Sequence, residues 1–502
     1  MRSLLYLWLP CEKIYPGGPV YLADYVHKHS DAAQKIVDLA LIEKKQRMER
    51  IRREIEDFDP DVIAFSWRNI QIFSPKQDDP SLENAFKFLY SLNPVDKISS
   101  AIFGIKSIFK YMTGTQENIK YINTVAKEYD KKVIVGGAAF SVFPDQIIER
   151  LEEGILGIAG EGEDAILKVL REKEDEDLLD ERVYFKKDGK VVKGEQRRCV
   201  EIERFQPLDF EYITEIFPQF EEYKGDYIGI QTKRGCPYGC IFCSYPFIEG
   251  RKIRFKRPEV LAEEVLTLHD NFGLKKMWFT DSNFISGKKT VRHCNEFLGR
   301  IIKDKADIEW GGYIRIDFIN KELAKKMIDS GILHFELSLT SGSQRVANFL
   351  RMGFKLENVF RACGMIRDAG YDGQEVIINY SLNAPTETKE SLLESVDTYR
   401  KICHYFGEEN VKPFIFFLGI QPHTALERYA IDNKMLSPDY DPLAITPNNA
   451  RKLIYNPPPF NKLIARTYLK VLKEHKEEEN VGKYVLLELE EKIGRLGNSG
   501  LL

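Results

Sequence analysis

Three cysteines, Cys236, Cys240 and Cys243, lie in the stretch Arg234-Gly-Cys-Pro-Tyr-Gly-Cys-Ile-Phe-Cys-Ser244 and constrain this chain more than any other feature. Intervals of three and then two residues let one tight loop aim three thiolates at a single iron–sulfur cube, leaving the fourth iron without a protein ligand. An iron left open in this way is a site for chemistry. Gly235 and Gly239 give the loop the backbone freedom that wrapping a cluster requires, Pro237 stiffens it, and Phe242 is placed to shield the cluster. The competing readings are three buried structural thiols or a zinc site. Zinc takes four ligands, usually from paired C-x-x-C spacings, and the sequence holds no second such pair.

A chain of 502 residues exceeds one hydrophobic core and is expected to form about three units of ~100–250 residues. Its hydrophobic content of 43% and charged content of 30% are those of an ordinary globular protein, and a net charge of −4 gives no broad electrostatic reason to expect nucleic acid. The apolar run from Met1 to Pro10 is short and reads as a strand rather than a signal peptide. No run reaches the ~18 apolar residues of a spanning helix, so a cytoplasmic protein without a membrane-spanning segment is expected. Cys11, Cys199, Cys294, Cys363 and Cys403 are scattered. In a cytoplasmic chain they read as free thiols, with neither a disulfide framework nor a second cluster expected.

The first third alternates strand and helix patterns. Ser3 to Leu9 and Lys35 to Ile42 read as strands, Glu43 to Phe58 as helical, and Val62 to Ser66 as a buried strand. The rhythm returns at Lys132-Val-Ile-Val-Gly-Gly137, a helix from Pro144 to Glu153, and Ile155 to Glu163. Parallel strands with glycine turns at their carboxyl ends predict a doubly wound sheet that binds ligands at that edge. Pro16-Gly-Gly-Pro19, Ser66-Trp-Arg-Asn69, Gly136-Gly137 and Gly160-Glu-Gly162 would lie there. No G-x-G-x-x-G follows the first strand, which argues against NAD or FAD. An insertion at about 74–130 is predicted mostly helical, and its aromatics, among them Phe86, Phe88, Tyr90, Phe103, Phe109 and Tyr111, read as core rather than as a pocket for a large apolar substrate.

A hairpin at Lys187-Asp-Gly-Lys190 closes this first segment at 1–190, and a linker follows at 191–225. Strands and helices alternate again over 226–425, beginning with Ile228 to Thr232, which delivers the cysteine loop, and continuing through Lys276 to Phe279, Glu309 to Arg315, His334 to Leu339, Glu375 to Tyr380 and Pro413 to Phe417. Polar residues at the carboxyl ends, such as Asp281 and Asn283, stand where barrel active sites are built. The basic run Arg251-Lys-Ile-Arg-Phe-Lys-Arg257 reads as a solvated face, with an anion-binding role as the alternative. From 426 to 502 the pattern is helical, with Asn456-Pro-Pro-Pro-Phe460 as a possible substrate-facing turn.

The cysteine loop resembles the signature of the radical S-adenosylmethionine (SAM) superfamily. That resemblance implies a [4Fe-4S] cluster on Cys236, Cys240 and Cys243, SAM chelated at the open iron, and reductive cleavage of SAM to a 5′-deoxyadenosyl radical. It further implies a partial (β/α)6 TIM-type barrel over 226–425. Phe279-Thr-Asp-Ser-Asn-Phe284 resembles the acidic loop after the second strand, Tyr313-Ile-Arg-Ile-Asp317 the arginine segment after the third, Thr340-Ser-Gly-Ser-Gln-Arg-Val346 the stretch that receives SAM, Asn383-Ala-Pro-Thr-Glu-Thr388 the fifth loop and Gln421-Pro-His-Thr424 the sixth. Phe242, Asp281, Asn283, Arg315, Thr340, Ser341 and Glu387 are thereby implied as cofactor-binding residues. Many relatives have Glu where this chain has Thr340, so the details of SAM binding differ here. The sheet before it, with Val135-Gly-Gly-Ala-Ala-Phe-Ser-Val-Phe-Pro144 and Gly160-Glu-Gly-Glu163, is similar to the cobalamin-binding domain of the largest radical SAM subclass, which places cobalamin against Gly136, Gly137 and Gly160. The D-x-H-x-x-G motif is absent, because His27 and His29 lack its Asp and Gly partners. A bound cobalt would therefore have no protein histidine below it.

The phrases Ala64 to Phe73, Gln231 to Cys236 and Phe417 to Pro422 resemble the radical SAM proteins labelled for photosystem II high-light acclimation, a label that names no reaction. More distantly the architecture is similar to the anaerobic magnesium-protoporphyrin monomethyl ester cyclase and to cobalamin-dependent methylases. The expected function is radical chemistry at an unactivated carbon of a small molecule, with cobalamin-dependent methyl transfer as its outcome and a reductase, flavodoxin or ferredoxin as electron donor. Oxidative cyclisation or rearrangement of a tetrapyrrole-like or lipid substrate is the alternative, and a non-catalytic cobalamin or redox sensor the reading from another class.

Overall fold

Apolar runs bounded by glycine, proline and aspartate become the strands of two compact units: one of Met1–Ile70, Met112–Gly235 and Phe247–Thr280, the other of Gln71–Tyr111, Cys236–Pro246 and Asp281–Leu502. The computed structural model describes residues 2–10, 13–68, 80–171, 174–195, 199–443, 454–475, 478 and 480–499, with side chains described throughout these except at 80–82, 107–113 and 496–499. Cys11, Asn69 and residues 71–73 lie outside the described residues, as do the side chains of Phe109 and Tyr111.

The first unit is built on a seven-stranded sheet of β1 (Ser3–Trp8), β2 (Ala33–Asp38), β3 (Val62–Ser66), β4 (Lys132–Gly136), β5 (Leu156–Ile158), β6 (Val183–Lys187) and β7 (Lys190–Lys193), in the order β2-β1-β3-β4-β5-β6-β7. The first five run parallel and the terminal hairpin antiparallel. Leu4, Leu5, Leu7, Val62, Ile63 and Val135 are fully buried, as strands covered on both faces require. The same unit holds β8 (Ile228–Ile230), the short β9 (Lys233–Arg234) paired antiparallel with β10 (Arg254–Phe255), and β11 (Lys276–Phe279) parallel to β8.

Three local expectations change. A helix spans Gly17–His29, where the prolines suggested only a turn. Proline is tolerated in a first helical turn because those amides have no partner to lose. The second strand stops at Asp38, whose carboxylate accepts from Ala40 N at 2.6 Å and turns the chain into a short 3-10 segment. The basic run is only partly a solvated face: Arg251 and Lys252 are exposed, but Arg254 and Lys256 are 5% and 2% exposed, and Lys256 Nζ lies 2.8 Å from both carboxylate oxygens of Glu264.

The second unit repeats strand and helix: β12 (Glu309–Gly312), β13 (Phe335–Thr340), β14 (Val376–Ser381) and β15 (Val411–Phe416) are followed by helices at Lys321–Asp329, Leu356–Asp368, Lys389–Phe406 and Ala425–Asp432. β13, β14 and β15 form a parallel sheet, and Trp310 of β12 bridges to Ile332 in the parallel sense. Helices Asn461–Glu474 and Val481–Ser499 pack on one another, and the last also packs on β15. Phe86, on helix Pro80–Tyr90, meets Phe417 and Tyr468 edge-on at 5.0 and 5.6 Å. It is core, as expected, but Phe88 is 48% exposed, and Val95, Ile98, Ile102 and Ile105 stand exposed on helix Pro94–Glu128. Among the described residues no helix is long and apolar enough to cross a membrane.

Candidate functional site

The cysteine loop leaves β9 through Gly235, whose φ of +90° places any Cβ 2.2 Å from the carbonyl oxygen of Lys252. Only glycine fits there. Its amide donates to Glu249 Oε2 at 3.1 Å. Farther on, Ile241 N donates to Leu350 O at 3.1 Å and Ile241 O accepts from Leu426 N at 2.7 Å, while Cys243 N turns back to Cys240 O at 3.2 Å. The loop is thus held at Gly235 by the Glu249 side chain and just after Cys240 by backbone bonds.

Tyr238 braces it further. The hydroxyl donates to Ser286 O at 2.9 Å, and the guanidinium of Arg315 lies over the ring. Arg315, 7% exposed, donates to Asp317 Oδ1 at 2.7 Å, to Asp317 Oδ2 at 3.2 Å and to Met352 O at 2.6 Å. Sequence reasoning assigned Arg315 to SAM and passed over Tyr238, Asp317 and Met352; the one available signal was an aromatic residue between the first two cysteines.

Cys236, Cys240 and Cys243 are in no disulfide, the first buried and the others part-exposed. Burial, followed by the charge of Cys236, pushes the Cys240 thiol up to about 11, against the pull of Arg315. A metal is needed to hold that sulfur as a thiolate near neutral pH. Among the described residues no group of three His, Cys, Asp or Glu side chains is gathered around the position of a single ion. A cube takes one thiolate at each of three separate irons, and three cysteines outside any disulfide on one backbone-held loop fit that requirement.

Carboxyl ends of the second unit's strands carry strain. Thr340, ending β13, has φ +62° and is 3% exposed; Asn383, after β14, has φ +59°; His423, beyond β15, has φ +63°. A β-branched residue in that region is an outlier, and such outliers gather at functional sites. Ser341 Oγ accepts from Ser343 N at 3.1 Å, and Gly342 is clasped by Ser395 Oγ at 3.0 Å and Thr398 Oγ1 at 2.9 Å. Asn283 Oδ1, Ser343 Oγ and Ser381 Oγ are buried without a hydrogen-bond partner. Each such atom costs about 1–3 kcal/mol unless a ligand or water completes it, so these strand ends fit a polar ligand such as SAM. Asp281 is 1% exposed at the same kind of position. Glu387, just before the helix that Thr388 caps, accepts from Ser391 Oγ, and burial raises its carboxyl to about 7.

At the carboxyl edge of the first unit's sheet, Gly137 has φ +93° and a Cβ there would meet Trp67 O at 2.5 Å. Trp67 N donates to Gly136 O at 2.9 Å and Ala139 N to Trp67 O at 3.0 Å. Ser141 Oγ donates to Gly137 O and accepts from Gly160 N, both at 2.8 Å. One hydroxyl thus ties Gly136-Gly137 to Gly160. His27 stacks on Tyr212 at 3.7 Å and His29 Nδ1 lies 2.7 Å from Tyr25 O, so both histidines are engaged within the unit.

Residues 230–399 match the model of the radical SAM superfamily. An uncharacterized methyltransferase of Pyrococcus horikoshii is 23% identical over 84% of this chain and 79% of its own. The anaerobic magnesium-protoporphyrin IX monomethyl ester cyclase of Cereibacter sphaeroides is 23% identical over 53% of this chain and 44% of its own, so the chain spans less than half of that enzyme. The radical SAM methyltransferase TsrM of Kitasatospora setae, solved with cobalamin and a [4Fe-4S] cluster bound, superimposes with a TM-score of 0.65 at 16% identity, covering 88% of this chain and 76% of that one. Residues 230–399 are therefore a radical SAM domain, carried in a chain with the fold of a cobalamin-binding radical SAM methyltransferase.

Proposed function

We propose that the protein is a radical SAM enzyme that methylates an unactivated carbon of a small-molecule substrate with the help of cobalamin. The observation that carries this reading is the pinned loop of three cysteines outside any disulfide, Cys236, Cys240 and Cys243, leading into strand and helix repeats whose carboxyl ends hold unpartnered polar atoms. When bound, the cluster supplies the electron for reductive cleavage of SAM, and cobalamin supplies a methyl carrier. The chain supplies the rest. The three cysteines hold the cluster and Phe242 screens it; Asp281, Asn283, Arg315, Thr340, Ser341 and Glu387 face or support SAM; Gly136, Gly137 and Gly160 let cobalamin approach the sheet edge. In this reading residues 1–190 are the cobalamin-binding-type domain, 191–225 the linker, 226–425 the partial barrel and 426–502 a helical cap. The electron donor is a flavodoxin, ferredoxin or reductase, and the compartment is the cytoplasm.

Protein purified without oxygen from cells given hydroxocobalamin should contain about four irons and near-stoichiometric cobalt, and should form 5′-deoxyadenosine from SAM under reduction. A chain that takes up no iron overturns the reading. The similarity to the magnesium-protoporphyrin cyclase favours a second one, oxidative ring formation, which iron and 5′-deoxyadenosine without methylated product would support.

A further inference from the structure

Just before the cysteine loop, inside the first unit, four charged side chains are buried together. Arg234 and Arg254, 8% and 5% exposed, stand directly opposite one another on β9 and β10. Two guanidiniums in that register repel, and each is costly out of water. Glu161 and Glu163, from the turn after β5, complete the group. Arg234 Nη2 donates to Glu163 Oε1 at 2.5 Å, and Arg234 Nη1 lies 3.7 Å from Glu161 Oε2. Arg254 forks onto Glu161, with Nη1 2.9 Å from Oε2 and Nη2 bonded to Oε1. Glu161 Oε2 also accepts from Val200 N at 2.9 Å, Arg254 Nη1 donates to Val200 O at 2.8 Å, and Arg234 Nε donates to Gln231 Oε1 at 2.8 Å.

A buried charge network of this kind adds little net stability compared with well-packed apolar side chains, but it fixes geometry closely, because the fork of Arg254 on Glu161 and the bonds of Arg234 Nε and Nη2 are directional. What it fixes is Arg234, two residues before Cys236. We propose that Glu161, Glu163 and Arg254 are positioning residues for the cluster: through Arg234 they set the angle at which the loop presents Cys236. The proposal rests on the reading that Cys236, Cys240 and Cys243 hold a [4Fe-4S] cluster.

The test compares wild type, Glu163→Gln, Arg254→Lys and the core variant Val133→Ala, all reconstituted anaerobically. Arg254→Lys keeps the charge and loses the fork, so it serves if Glu163→Gln does not fold. The readouts are the electron paramagnetic resonance of the reduced cluster with and without SAM, iron retention against a chelator, and Tm. Glu163→Gln and Arg254→Lys should change the SAM-induced spectral shift and weaken iron retention about tenfold, the lower end of what loss of an outer-shell partner costs. Val133→Ala should lower Tm and leave both cluster readouts alone. Wild-type spectra and retention in both charge variants, with only Tm reduced, would overturn the proposal. A wild-type protein that takes up no cluster would overturn the underlying reading instead.

Discussion

The guanidinium carbon of Arg315 lies 3.8 Å from the centroid of the Tyr238 ring. A positive charge is thereby stacked on the cysteine loop itself, and Asp317 and Met352 O leave it little freedom to turn away. Net charge near a cluster is one of the levers that set its potential.

Arg315→Gln should therefore make the cluster harder to reduce. A redox titration followed by electron paramagnetic resonance should give a lower midpoint potential than wild type. Tyr238→Leu removes the stacking but keeps the charge; it should cost about 2 kcal/mol of stability, as desolvated cation–π contacts do, with a smaller effect on potential. Equal potentials in wild type and Arg315→Gln would remove the arginine from this role.

Cys240→Ala should abolish the iron–sulfur absorption and the formation of 5′-deoxyadenosine while circular dichroism stays native. The loop's backbone bonds, Ile241 N to Leu350 O and Ile241 O to Leu426 N, do not involve the thiol. Cys363→Ala, in the apolar core of helix Leu356–Asp368, should leave iron content unchanged.

Burial raises Glu387 from an ordinary 4.5 to about 7, so the fold favours its protonated form. The stability this gives is complete below about pH 4.5, declines as pH rises toward 7 and is gone above it. The span is worth at most about 3 kcal/mol, less for the water that still reaches this part-exposed group. Glu387→Gln, permanently neutral, should show a flatter dependence of Tm on pH between 5 and 7. Parallel curves for the two proteins would contradict the assignment.

Gly137→Ala forces Cβ onto Trp67 O at 2.5 Å and should displace the turn that Ser141 ties to Gly160. Cobalt content should fall. Gly154→Ala is the control: its φ is +89° but nothing lies within 4 Å of the added carbon, so it should lose about 1 kcal/mol from backbone strain and keep its cobalt.

Burial pulls the Lys256 ammonium down and pushes the Glu264 carboxyl up, and their ion pair opposes both shifts. Lys256→Met leaves Glu264 alone in the interior and should cost about 3–5 kcal/mol, whereas Lys256→Met with Glu264→Leu should recover most of it. Chemical denaturation of the two variants checks this.

The strands were legible in the sequence because they are apolar runs cut by glycine, and the cysteine loop because its spacing is local. The expectation of parallel strands ending in glycine turns at Gly136-Gly137 rests on the same local chemistry. What escaped notice depends on partners far along the chain. Arg234 and Glu163 are 71 residues apart and Arg254 and Glu161 are 93 apart, so Arg254, which binds its opposite in the interior, read as part of a solvated face, and the pairing of the others had no local signal. Arg315 was visible as an arginine, but its meeting with Tyr238 required β12 and the loop to be placed in space. The helix at Gly17–His29 was hidden by prolines whose cost vanishes at a helix start.

The two units interleave along the chain, and this governs the order in which the protein can be made. The first unit lacks its third segment until residue 280 has left the ribosome, and the segment Gln71–Tyr111 belongs with chain that begins only at Cys236 and resumes at Asp281. Early-made apolar side chains that the finished protein buries, such as Phe86 against Phe417 and Tyr468, stay uncovered meanwhile. Slow translation or a shortage of chaperones should then depress the yield of folded chain before any cofactor is involved.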